Sequence, residues 1–193
     1  NGDFKEMLEL TRRNLAAGNP ELETKLQEIT ALENLGRVDE AAAKFAVLRA
    51  AAPGQIELFK RQLSFAIRHN RPELLQMLLR ETLGSPQPQI RALSFLPEAE
   101  LAFRAGKTKE GIDLLTSRPA IETLTDSNPE NWELLYLVAL RLGSADAIEP
   151  AAAIYEKLKT VLPDPSMAKL NLSELYAASG RKADALAEAQ DVW

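Results

Sequence analysis

The chain has 193 residues, 46% of them hydrophobic and 26% charged, with 9 Gly, 11 Pro and no Cys. That content sustains a sizeable core and excludes a disordered tail, a collagen-like fibre and a disulfide scaffold. A net charge of -5 argues against a nucleic-acid binder, whose affinity rests on clustered Lys and Arg.

No run approaches the roughly 18 consecutive apolar residues of a membrane helix, so no direct membrane insertion is expected. Nearly every segment is rich in Ala, Leu, Glu, Lys and Gln, with apolar residues at steps of three and four, as in Leu22, Leu26, Ile29 and Leu32. This is the period of an amphipathic helix, and alternating β-branched runs are absent, so the expected class is all-α. Gly and Pro fall between the periodic segments and mark the turns.

In chain order, Phe4 to Ala17 reads as one helix, with Leu8, Leu10 and Leu15 placed on one face. From Leu22 a first helix runs to Gly36, where a left-handed residue is required. A second follows, in which small Ala41 allows close approach, Phe45 fills the gap and Pro53 stops the chain. The next pair shows Phe59 and Ala66, then Asn70 in place of the turn Gly, then Leu75 and Leu79. A third shows Phe95, Ala99, Ala102, Gly106, Gly111 and Leu115 before a long connection from Pro119 to Asn128. The fourth opens on Trp132 and Leu135, is expected to turn at Gly143, carries about three extra residues within 144–150, and resumes with Ala151, Tyr155 and Pro163. The last contains Ser173, Tyr176, Gly180 and Ala185.

Unit starts at Leu22, Ile56, Ala92, Pro129 and Ser166 are separated by 34, 36, 37 and 37 residues. A helix-pair period near 34, with Trp-x-x-Leu, turn Gly, Ala-x-x-x-aromatic and closing Pro, resembles the tetratricopeptide repeat. The resemblance covers almost the whole chain. It implies one domain over 1–193: a half repeat at 4–20, then units at 22–55, 56–91, 92–128, 129–165 and 166–193. The implied architecture is a right-handed α-α superhelix, a solenoid of antiparallel helix pairs whose first helices line a concave groove.

In that register the inner wall comprises Lys60, Arg61, Ser64, Ile67 and Arg68, then Glu100, Phe103 and Arg104, then Glu133, Leu137, Leu140 and Arg141. Arg68, Arg104 and Arg141 fall in one slot of three successive units. Such a ladder beside Phe103 and Leu137 suits an acidic, partly apolar peptide, although Arg near a helix C-terminus is also favoured by the helix dipole alone. Family members that clamp a chaperone's C-terminal carboxylate place Asn at inner-wall slots filled here by Thr30, Ser64, Glu100, Leu137 and Glu174, so a tail clamp is not expected.

Catalysis is not expected. There is one His, His69, at a helix end, and no metal-ligand, nucleotide or nucleophile motif. Glu98 and Glu100 are two apart and point to different faces. Asn171-Leu172-Ser173 matches a glycosylation acceptor, but Leu172 and Ser173 belong to packing positions. No cofactor and no metal are implied.

The reading is a non-catalytic protein–protein interaction scaffold that binds a partner segment in its groove. The alternatives are a helical accessory region of a larger enzyme or bacterial envelope or export complex, and a self-associating spacer. Asn1 without a preceding Met, and Trp193 closing an unbroken helical pattern from Ala183 to Val192, are expected to be ends of a piece of a longer protein. This leaves cytoplasm and periplasm equally open. The Ala- and Leu-rich, Cys-free composition has a bacterial character.

Overall fold

The computed structural model describes residues 2–18, 21–117, 120, 122, 124 and 129–190, and these are helical with no strand among them. The turn and end positions expected at Asn19, Pro20, Pro119, Asn128, Val192 and Trp193 lie outside the described residues. The chain divides into two compact units, Asn1–Gln55 and Ile56–Trp193. The division falls where the first helix pair was expected to end.

The first unit consists of α1 (Gly2–Ala16), α2 (Leu22–Asn34) and α3 (Val38–Ala51), with α2 packed on both neighbours. Its core is Leu8, Leu26, Ile29, Leu32, Ala41, Phe45 and Leu48. Each fully buried Leu or Phe of this kind contributes about 1.5–3 kcal/mol. Leu8 and Leu15 do turn inward, but Leu10 is half exposed. Residues two apart are separated by about 200° around a helix, so Leu8 and Leu10 cannot share a face. Thr11 takes the inward position, its hydroxyl donating back to Leu8 and Met7.

The second unit contains α4 (Ile56–Arg68), α5 (Pro72–Gly84), a single turn α6 (Pro88–Arg91), α7 (Phe95–Arg104), α8 (Thr108–Thr116), α9 (Pro129–Ser144), α10 (Ile148–Val161), α11 (Ser166–Ala178) and α12 (Lys182–Gln190). Chain neighbours pack as pairs: α4 with α5, α7 with α8, α9 with α10, and α11 with α12. Successive pairs meet through α5 with α7 and α10 with α11.

The turns inside these four pairs, and the one between α2 and α3 of the first unit, are built alike. Gly36, Asn70, Gly106, Asp146 and Gly180 have φ of 73°, 55°, 74°, 61° and 81°. In each, the residue after the left-handed one donates its N–H to the carbonyl five back: Arg37 to Leu32, Arg71 to Ala66, Lys107 to Ala102, Ala147 to Leu142 and Arg181 to Tyr176, at 2.8–2.9 Å. That bond, with the shorter one from the left-handed residue itself, closes the orphan carbonyls of the first helix and fixes the reversal. The position five beyond each left-handed residue is buried: Ala41, Leu75, Gly111, Ala151 and Ala185. This is the sequence rule at work, a small side chain where two helices cross. Leu75 is the exception, and α4 and α5 share fewer close backbone approaches than the other pairs of this unit.

The fourth turn departs from expectation. Gly143 lies inside α9, and the left-handed residue is Asp146. The helix therefore absorbs the extra residues instead of looping them out. Gly143 serves another purpose: a Cβ there would lie 3.0 Å from Cδ1 of Leu175 on α11, so the absent side chain lets that helix approach.

A second departure is a contact over a long sequence separation. α4 packs directly against α9, two helix pairs further along the chain. The intervening first helix, α7, is short, at 10 residues. α4 is consequently buried around most of its circumference, including polar Lys60, Gln62 and Ser64. At this end of the wall there is no open cradle.

Candidate functional site

Three helices bring their C-terminal ends to one cleft of about 390 Å³. From α4 and its turn come Ile67, Arg68 and Asn70; from α7, Glu100 and Arg104; from α9, Leu137, Leu140, Arg141 and Ser144. Seven of the expected wall residues, Ile67, Arg68, Glu100, Arg104, Leu137, Leu140 and Arg141, thus share one concavity. α4 packs against α9, and its C-terminal end lines the cleft.

The remaining expected residues are placed otherwise. Lys60 and Ser64 are 6% and 1% exposed, buried within the unit, and the Ser64 hydroxyl finds no hydrogen-bond partner. A residue so buried cannot meet a partner molecule, which removes both from the groove. Arg61 is half-buried and lies outside the cleft lining. Phe103 is half-buried and outside the cleft lining, its ring close to Gly111 and its ring centroid 4.8 Å from the Arg141 guanidinium.

The three arginines are not in one slot. Arg68 and Arg104 stand two residues before the left-handed Asn70 and Gly106, whereas Arg141 stands five before Asp146. Three residues along a helix shift a side chain by about 4.5 Å and roughly 60°. They converge on the cleft from different heights.

Their partners differ as well. Arg68 pairs with Glu133, tying α4 to α9. Arg141 donates from Nη2 to Oε2 of Glu100 at 2.8 Å, tying α9 to α7. Glu100 is 5% exposed. Burial pushes its carboxyl above the ordinary range, while Arg141 and then Arg104 pull it back. Arg104 makes no ion pair among the described residues, and its Nε is shut from solvent without an acceptor.

Glu98 and Glu100 do face apart, Glu98 to solvent and Glu100 inward. The His69 ring packs on Phe65, one turn back, at 4.8 Å between centroids. Ser173 donates to the Ala185 carbonyl at 2.8 Å, joining α11 to α12, and Leu172 is fully buried. Among the described residues no three His, Cys, Asp or Glu side chains gather in a way that could hold a metal ion, and no helix is long and apolar enough to cross a membrane.

Sequence reasoning missed a second cavity, about 290 Å³ and almost wholly apolar, between α8, α9 and α10, lined by Leu115, Leu135, Val138, Leu142 and Ile154 with Lys157. Its residues read individually as core, and only the spacing of the helices reveals the gap. No protein-family model matches the sequence, and no curated protein matches it.

Proposed function

We propose that the chain is a non-catalytic protein-binding scaffold of the tetratricopeptide-repeat kind, taking a peptide segment of an acidic, partly apolar partner in the cleft between α4, α7 and α9. The observation that carries this reading is the convergence of Arg68, Arg104 and Arg141 with Leu137 and Leu140 on one concave surface. Guanidinium forks suit carboxylates, and leucines suit an adjoining apolar side chain. The five equivalent turns at near-regular spacing support the repeat reading.

A photo-crosslinking residue placed at Leu140, 38% exposed at the cleft, tests it against one placed at Leu83, 65% exposed and outside the cleft. In extracts of the source cells, a discrete adduct is expected from position 140 and none from position 83. Equal labelling at both positions, or none at 140, would overturn the reading.

One observation favours a second reading, self-association. Met167, Leu170 and Leu186, on the last helix pair, are 56%, 43% and 60% exposed. Solitary exposed apolar residues are ordinary, but three on the last helix pair offer apolar surface to a second copy. Sedimentation at rising concentration, with and without Leu186→Glu, tests it; a monomer throughout would dismiss it.

A further inference from the structure

Two of the three arginines on the cleft are already engaged. Arg68 is held by Glu133, and Arg141 by Glu100 and the face of Phe103. Arg104 is not: it makes no ion pair among the described residues and only adds to the pull on Glu100, which Arg141 already holds. At the cleft three guanidinium groups, those of Arg68, Arg104 and Arg141, stand against two carboxylates, those of Glu133 and Glu100, so one positive charge remains for an incoming acid. Glu100, the acid on which Arg104 acts, has its charge committed to Arg141 at 2.8 Å. On the α9 side of the same cleft stand Leu137 and Leu140.

We infer that Arg104 is the specificity-determining residue of the cleft, receiving the side-chain carboxylate of an Asp or Glu in a partner peptide whose neighbouring apolar side chain rests on Leu137 and Leu140. This rests on the cleft being the docking surface. The chemistry selects a carboxylate over a phosphate. A dianion calls for several free cations, and Arg68 and Arg141 would have to surrender their own carboxylates to supply them. It also selects a side chain over a chain terminus: one guanidinium fork satisfies one side-chain carboxylate, whereas a terminal carboxylate is held by a cluster of donors.

The experiment selects binders to the whole chain from a phage-displayed library of random peptides, then measures synthetic peptides by calorimetry. Enriched peptides should pair Asp or Glu with Leu, Met or Phe. Arg104→Gln should weaken binding about tenfold or more, Arg104→Lys less, and the peptide's Glu→Gln change should cost the same as Arg104→Gln with no added loss when combined. Circular dichroism and melting of both Arg104 variants control for folding, and Glu100 keeps its ion pair with Arg141 when Arg104 loses its charge. Selected peptides lacking an acid, an empty selection, or effects that simply add would overturn the assignment of Arg104. Leu140→Asp separates the two levels: binding lost there but retained in Arg104→Gln leaves the cleft as the docking surface and removes Arg104 from it. Binding indifferent to Leu140→Asp removes the cleft.

Discussion

Gly111 lies directly beneath the ring of Phe103: a Cβ at position 111 would stand 2.8 Å from two ring carbons. The ring is also held by the Arg141 guanidinium, 4.8 Å from its centroid. Two effects compete in Gly111→Ala. Helix propensity favours Ala by about 1 kcal/mol, while overpacking a pinned aromatic costs about 1–3 kcal/mol. The clash should win, with a net loss of about 1 kcal/mol in urea denaturation. In a Phe103→Leu background the same change should become neutral or stabilising. A stabilised single variant would show that the ring is not held.

The turns offer a sharper contrast. Gly36, Gly106 and Gly180 are left-handed, so each Gly→Ala change should cost about 1–2 kcal/mol. Asn70→Gly and Asp146→Gly should instead be neutral or stabilise by a few tenths of a kcal/mol to about 1. Gly143→Ala should not behave as a turn variant. Helix propensity favours Ala there by about 1 kcal/mol against a tight contact with the movable end of Leu175, so the net change should lie within about 0.5 kcal/mol of zero. A loss at position 143 as large as at Gly106 would contradict the helical assignment of that residue.

Position 143 also shows what was legible in the sequence and what was not. Four of the five reversals could be read, because Gly36, Asn70, Gly106 and Gly180 supply left-handed backbone that few other residues tolerate. The fourth could not: Asp146 is rarer in that conformation than Gly, and Gly143 offered a better-looking turn residue that packing had claimed. The same three-residue displacement broke the apparent alignment of Arg141 with Arg68 and Arg104. Lys60 and Ser64 were misplaced for a different reason. Their burial follows from α4 packing against α9, and a contact between helices some seventy residues apart leaves no periodic trace in either. Which arginine keeps an open guanidinium was likewise invisible, since it depends on where Glu100 and Glu133 come to rest.

Burial raises the Glu100 carboxyl above its ordinary value of 4.5, against the opposing pull of Arg141 and Arg104. Between that value and the raised one, the folded state binds more protons than the unfolded state. Its contribution to stability is therefore most favourable in acid and declines as pH rises through that window. Glu100→Gln removes the titration. The variant's stability relative to the parent should increase when urea denaturation is moved from pH about 4 to about 7. A constant difference, or one of opposite sign, would mean that Arg141 outweighs desolvation.

Ser64 distinguishes burial from ligand contact. At 1% exposure its hydroxyl has no partner, so Ser64→Ala removes a desolvated dipole without leaving a charge behind. Stability should rise by about 1 kcal/mol. Affinity for any peptide bound in the cleft should be unchanged. Weakened binding would return Ser64 to the groove.

In the first unit Glu28 is the meeting point of three helices. Its carboxylate, on α2, accepts from Arg12 Nε of α1 at 3.3 Å and lies 2.9 Å from Lys44 Nζ of α3. The acid is buried at 3% side-chain exposure, while Arg12 and Lys44 are about half exposed, at 47% and 48%. This asymmetry decides which deletion matters. Removing the acid leaves two cations that water can reach, and Glu28→Met also returns apolar volume to the interior, so its effect should stay within about 1 kcal/mol of zero. Removing both cations leaves a carboxylate that water cannot reach. Arg12→Ala with Lys44→Ala should cost about 2–3 kcal/mol, toward the low end for a broken buried pair because solvent screens the outer half of the network. Adding Glu28→Met to that double variant should recover most of the loss. Failure to recover it would show that the stems of Arg12 and Lys44 stabilise this unit by packing on α2 rather than by their charge.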